Sequence, residues 1–215
     1  MKEDIISELM LAVVGRYSSR FNQLGKDVKT LGWGSEQQQV FRFLQALRAV
    51  DVSGKSVLDI GCGFGDFLSV CIDNNIEISN YEGWDINPDL IRMAQEQHPM
   101  ASFNVVDLSN LNDVLVVAEI GFMLGVLNLN FKDKYDNLLF SKMMIKKAFC
   151  SVSRSLVVDF LSLKKSPDYP AEDFVFYHDP AELLSYALTL TPSVRLFHDY
   201  SPNPQKEFML VLEHV

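Results

Sequence analysis

Hydrophobic and polar positions change rhythm near residue 55. Before it, Ile5, Ile6, Leu9, Met10, Val13 and Val14 recur at the spacing of one helix face. The pattern breaks at Leu31-Gly32-Trp33-Gly34. Ser35 then stands three residues ahead of Gln38, a capping-box arrangement that predicts a second helix with Val40, Phe41, Leu44 and Leu47 on its apolar side. Residues 1–50 therefore read as an N-terminal helical cap, part of the same domain as 51–215.

Beyond residue 55, short apolar runs alternate with helical stretches. Strands are predicted at 55–60, 80–85, 102–106, 120–124, 155–161, 194–199 and 207–213, and helices at 64–74, 88–97, 134–149 and 180–190. Pro88 stands in the first turn of its helix, where a missing N–H costs nothing, and Asp179 is placed to cap the last helix. Segment 113–117 fits helix or strand equally, 163–173 (LKKSPDYPAED) reads as a loop or lid, and 174–178 is short and apolar. The alternation predicts an α/β fold, a mainly parallel sheet with helices on both faces. The short SPNPQK link between the last two strands predicts an antiparallel hairpin at one edge.

Composition narrows the partners. The chain is 48% hydrophobic, enough for a sizeable core, and carries a formal charge of −9. That field opposes a nucleic-acid phosphate backbone. Cys62, Cys71 and Cys150 show neither metal-ligand spacing nor an even set for disulfides, so a reduced, cytoplasmic setting without a bound metal is expected. The start, MKEDIISELM, mixes acids among its apolar residues unlike a secretory signal, and no apolar run is long enough to span a bilayer.

The most informative stretch is VLDIGCGFGDF, residues 57–67, where a predicted strand runs into a glycine turn. In an open α/β sheet such a turn lies at the carboxyl ends of the strands, where ligands bind. The dinucleotide fingerprint G-x-G-x-x-G would need a third glycine at position 66, and that residue is Asp. The P-loop pattern also fails, because no Gly-Lys-Ser/Thr follows. Asp59 and Asp66 bracket the turn, disfavouring a pyrophosphate and suiting a cationic ligand such as the ammonium and sulfonium of S-adenosylmethionine. Asp85, at the end of the second strand, can accept both hydroxyls of a ribose, a placement shared by NAD and S-adenosylmethionine sites. Asp107 ends the third strand, where a carboxylate can take an adenine amine with the Leu108 N–H beside it, or simply cap a turn.

VLDIGCGFGDF, GWDINPDLI, FNVVDL and GFMLGVLN together resemble the successive motifs of class I S-adenosylmethionine-dependent methyltransferases, over about residues 55–161. The resemblance implies a Rossmann-like seven-stranded sheet with an antiparallel last strand. It implies S-adenosyl-L-methionine as cofactor, its methionine end against Asp59, Gly61, Cys62 and Gly63. The ribose would meet Asp85, Ile86 would pack on the adenine, Asp107 and Leu108 would meet the adenine edge, and Gly125 would close the site. VKTLGWGSEQQ and FHDY look similar to a group of small bacterial methyltransferases.

Methyl transfer needs alignment and desolvation more than a dedicated base. Loops of the Asn-Pro-Pro-Tyr type, which resemble those of amino-methylating enzymes, and the cysteines of C5-pyrimidine chemistry are missing. A small-molecule acceptor is expected, at oxygen or nitrogen rather than carbon. Asn128 follows the fourth strand and could face the acceptor; His178 and His198 are candidate bases. Trp33 could lie over the site as an aromatic lid, with Tyr17, Arg20 and Lys29 beside it, and Arg20 or Lys29 would suit an anionic acceptor. The alternatives are a protein or tRNA methyltransferase, an NAD(P)-dependent oxidoreductase, and a non-catalytic adenosyl-binding partner subunit.

Overall fold

The structure, a computed structural model, describes residues 2–112, 115–167, 169–199 and 206–215. Two helices come first, α1 (Lys2–Leu24) and α2 (Glu36–Ala49), the second capped by Ser35, whose hydroxyl accepts from the Gln38 N–H. There follow β1 (Lys55–Ile60), α3 (Asp66–Asp73), β2 (Ile78–Asp85), α4 (Pro88–Gln97), β3 (Ser102–Val105), β4 (Ala118–Met123), α5 (Asn137–Cys150), β5 (Val152–Leu161), α6 (Pro180–Ala187), β6 (Ser193–Phe197) and β7 (Glu207–Glu213). Among the described residues no helix is long and apolar enough to cross a membrane.

The seven strands form one sheet in the order β3-β2-β1-β4-β5-β7-β6. Neighbours from β3 to β5 run parallel; β7 alone is antiparallel, to β5 on one side and β6 on the other. The predicted edge hairpin exists, with β7 inserted between β5 and β6; residues 200–205, within its link, lie outside the described residues. Side chains alternate between two cores, as a pleated strand requires. Leu58, Leu156, Val158, Phe208 and Leu210 join one cluster with α1, α5 and α6. Val57, Phe122, Val157, Met209 and Val211 join the other with α2, α3 and α4. Both faces are covered, so the central strands are buried almost end to end while β3 and β6 stay partly exposed.

Some expected boundaries move for local reasons. The helix after the glycine turn begins at Asp66, because Gly61, Gly63 and Gly65 all have positive φ (76°, 56° and 80°). α5 begins at Asn137 rather than 134; Lys132–Lys134 form a 3-10 turn and Asp136 caps the helix. The short apolar segment 174–178 makes isolated bridges, Leu129 to Val175 and Ser162 to His178. Of the ambiguous segment 113–117, residues 113 and 114 lie outside the described residues, and 115–117 belong to no element.

Strand order reverses between β1 and β4, both of which neighbour the sheet centre. Their carboxyl ends open a crevice at this switch point. The glycine turn and the 124–128 loop form its rims.

Candidate functional site

The crevice holds a narrow cavity of about 150 Å³ roofed by Met10, Val13 and Tyr17 of α1, by Leu31 and Trp33, and by Gln39 and Phe43 of α2. Its floor comes from the strand ends. Asp59, Gly61, Cys62, Gly63, Asp85, Ile86, Asp107, Leu108 and Gly125 all line it. Met10 and Val13 lie on the helix face that the spacing marked, whereas Gln39 and Phe43 do not: the buried side of α2 is Gln39, Arg42, Phe43, Ala46 and Ala49, and the expected Val40, Phe41, Leu44 and Leu47 are half-buried at its flank.

The turn is built by its backbone. The N–H groups of Gly61 and Cys62 both donate to the Trp84 carbonyl, at 2.7 and 3.0 Å, and Gly63 N–H donates to Asp85 Oδ2 at 3.0 Å. A Cβ on Gly61 would come within 2.4 Å of Val126 Cγ2, so the close approach of the two rims requires glycine. A Cβ on Gly125 would press on the Trp33 ring at 3.0 Å.

Asp59 is almost fully buried and accepts a 2.5 Å hydrogen bond from the Tyr81 hydroxyl. Burial, first, and then the neighbouring Asp85 and Asp66 carboxylates push its pKa up to about 7, against the pull of Tyr81. Burial also raises Asp85, while N–H donors from Asn87, Gly63 and Ile86 hold it down. Asp107 caps a 3-10 turn at Leu108–Asn110. Its oxygens accept from Ser109 N–H (3.0 Å), Ser109 Oγ (2.6 Å) and Asn110 Nδ2 (2.6 Å). A carboxylate has about four acceptor positions, so one remains for a ligand. Burial raises the Cys62 thiol, which stays protonated. Asp66 lies off this wall, bonded to Gln39 Nε2 at 3.1 Å.

A wider cavity of about 590 Å³ adjoins the narrow one and shares five residues with it, Tyr17, Leu31, Trp33, Gly125 and Leu129. Tyr17, Arg20, Lys29, Trp33 and Asn128 all line this second space. Asn128 anchors the rim, its Oδ1 accepting from Leu161 N–H at 2.8 Å. Arg20 is committed to the carbonyls of Thr30 and Lys29, which fasten the 25–30 loop to α1. Trp33 stands edge-on to Phe43 and lies 4.6 Å from the Arg42 guanidinium carbon. It is thus both a packing residue and the partition between the cavities.

Arg42 is the centre of a buried ion cluster. It bonds Asp159 Oδ2 at 2.9 Å and grips Glu207 with two nitrogens, while Asp159 Oδ1 accepts the Gly125 N–H at 2.6 Å. Burial raises the Asp159 pKa, against the pull of Arg42 and of Gly125 N–H.

The histidines go elsewhere. His178 is buried, with Nε2 against Ser141 Oγ at 2.9 Å, and burial lowers its pKa to about 3. Neither it nor His198 lines either cavity. A neutral, enclosed imidazole away from the crevice, His178 packs on Phe160 of β5 and Phe176 and bonds to Ser141 of α5. Among the described residues no three His, Cys, Asp or Glu side chains converge as metal ligands would.

A family model described as a methyltransferase domain matches residues 33–145. No curated protein matches the sequence. The fold is similar to that of the magnesium protoporphyrin IX methyltransferase of Synechocystis PCC 6803 with bound SAH, at 17% identity and a TM-score of 0.66, over 96% of this chain and 99% of that one. It is similar to an S-adenosylmethionine dependent methyltransferase from Mesorhizobium loti, at 14% identity and a TM-score of 0.58, over 79% and 96% of the two chains. It is also similar to part of the small RNA methyltransferase HEN1, at 16% identity and a TM-score of 0.62, over 82% of this chain and 25% of that one.

Proposed function

Because the chain belongs to the methyltransferase-domain family and is an S-adenosylmethionine-dependent methyltransferase, we propose that it methylates a small molecule, at oxygen or nitrogen rather than carbon. The observation that carries the residue roles is the narrow cavity itself. A glycine cradle that a Cβ would fill and two buried carboxylates suit a cation, and Ile86 and Leu108 add apolar wall for a purine.

When bound, S-adenosylmethionine supplies a methyl on a sulfonium, a leaving group that is already activated. Asp59, Gly61, Cys62 and Gly63 hold its amino-acid end, and Asp85 takes the ribose hydroxyls with the oxygen positions left over from Gly63 and Asn87. Ile86 and Leu108 enclose the base, Asp107 offers its remaining acceptor position to the amine, and Gly125 lets Trp33 close the wall. The acceptor sits in the wide cavity. Held there, its oxygen or nitrogen lone pair would face the activated methyl, and any proton on that atom would leave to water. Asn128 Nδ2, which has no partner among the described residues, can donate to it. Tyr17 stands at the junction; burial raises its pKa, so it acts as a donor rather than a base. No histidine lines the acceptor space, which favours a displacement driven by alignment and water exclusion.

Residues 1–50 serve as the cap over both spaces, and the KTLGWG segment within it is read as the mark of a narrower bacterial group. The free cysteines fit a reducing, cytoplasmic setting. Calorimetry tests the reading: S-adenosylhomocysteine should bind and NAD should not. Tight NAD binding with no adenosylhomocysteine binding would sink it.

A further inference from the structure

The wide cavity differs in charge from the rest of the molecule. In a chain of net charge −9, six cationic side chains among the described residues line it, Arg16, Arg20, Lys29, Arg42, Lys165 and Lys206, against two described acids, Glu172 and Glu207. Glu207 is already taken by Arg42. The other five cations form no salt bridge among the described residues; Arg20 donates to the Thr30 and Lys29 carbonyls and Lys165 to the Tyr169 carbonyl, which leaves their charge unneutralised. Gathering uncompensated like charges round one concave space is unfavourable unless something negative enters it.

Three of these cations stand beside aromatic rings. Arg16 lies 5.6 Å from the Phe174 ring centre, Lys165 5.3 Å from Tyr177, and Lys206 5.0 Å from Tyr169. The part of the cavity shared with the narrow one is walled by Tyr17 and Trp33. A volume of about 590 Å³ is that of a site for one small organic ligand, commonly ~300–1,000 Å³.

We propose that the acceptor is a small planar aromatic acid, its carboxylate or phosphate held among Arg16, Lys165 and Lys206, its ring directed toward Tyr17 and Trp33 and so toward the methyl donor. This rests on the acceptor reading of the wide cavity given above. The cations line one concave space instead of running as a stripe over the surface, and the net negative field outside opposes a phosphate polymer. A small acid is therefore favoured over RNA.

The test is equilibrium binding to the full chain, with and without saturating S-adenosylhomocysteine. The probes are 4-hydroxybenzoate, indole-3-carboxylate, their neutral amides, phenyl phosphate, inorganic phosphate and a single-stranded RNA 20-mer. Aromatic acids should bind roughly tenfold or more tighter than their amides, the effect of one charge-assisted hydrogen bond. Phenyl phosphate against the carboxylates decides which anion is preferred, and inorganic phosphate alone should bind weakly because it lacks a ring. Arg16→Ala and Lys206→Ala should each cost the acids severalfold to tenfold and leave the amides and adenosylhomocysteine unchanged; Arg16→Lys should keep part of the affinity. Amides binding as tightly as acids, charge variants without effect, or RNA binding tighter than every small acid would each overturn the proposal. Failure of adenosylhomocysteine to bind would strike the cofactor reading instead, and the acid-to-amide ratio on the protein alone would still decide the charge class.

Discussion

The narrow cavity beneath α1 is walled by the carboxylates of Asp59, Asp85 and Asp107, whereas the wide cavity beyond Trp33 is walled by Arg16, Lys29, Lys165 and Lys206. One tryptophan separates an acidic space from a basic one. The acidic side is made by strand ends and a backbone turn, close together in sequence. The basic side is assembled from α1, the 25–34 loop, the 163–177 segment and the start of β7. The contrast suits a cationic donor and an anionic acceptor approaching from opposite sides, so that each is attracted to its own end and repelled by the other.

The contrast can be broken most severely at Arg42, which touches the wide cavity while its partner Asp159 holds Gly125 at the narrow one. Arg42→Ala leaves two carboxylates buried without their cation and should cost about 3–5 kcal/mol of stability, measured by urea unfolding. A smaller loss would show that water reaches the cluster. Next in size, Asp85→Ala should weaken S-adenosylhomocysteine about a hundredfold by calorimetry with the fold retained, since two charge-assisted hydrogen bonds are lost. Unchanged affinity would remove Asp85 from the ribose.

Asp59 sharpens the acidic side through pH. Its carboxyl, raised to about 7 in the folded protein from 3.8, is largely neutral below that pH. A cationic ligand needs the carboxylate, so S-adenosylmethionine affinity should fall by up to about tenfold per pH unit below 7 and level off above it. Asp59→Asn should flatten the profile. For stability the sign is opposite: the raised pKa favours folding fully below about 4, and that contribution is lost as pH rises through 7. Smaller still, Trp33→Ala merges the two spaces and should raise acceptor KM about fivefold, with less change in adenosylhomocysteine binding. At the bottom of the scale, His198→Ala should leave kcat/KM within about twofold; a larger loss would return that histidine to the chemistry.

How much of this was legible follows the same division. β1, α4 and β7 lie where the hydrophobic pattern put them, because a buried run or a Pro-started amphipathic turn is a local signal. Asp59, Gly61, Gly63 and Asp85 could be read as one group because a strand-turn-helix unit brings neighbours in sequence together in space. Arg16, Lys165 and Lys206 could not, since nothing local says that residues about 150 positions apart share a wall. Arg16 had one faint signal, its place one turn before Arg20 on the same helix. His178, just before a helix, and His198, at a strand end, both looked chemical, and the structure places neither on a cavity wall. The insertion of β7 beside β5 is likewise non-local; a hairpin is written in its turn, but the side on which it pairs is written in the core.

The Arg42 cluster also governs how molecules get in. A cavity of about 150 Å³ is tighter than the ~300 Å³ at the lower end of ligand sites, so a ligand of that size would need its walls to spread. α2 is pinned to β5 and β7 by three buried charges and cannot leave cheaply. α1 is held at this end by lighter ties, Ser18 to Asp89 and Asn87 to the Val14 carbonyl, and Arg20 binds the 25–30 loop to it. The two helices over the entrance are thus held differently, α2 by buried charges and α1 by the apolar seat of Ile6, Leu9 and Met10 with a few neutral hydrogen bonds. Because α1 carries Tyr17 and Arg16 side by side, any shift of that helix would alter the donor space and the acceptor space together.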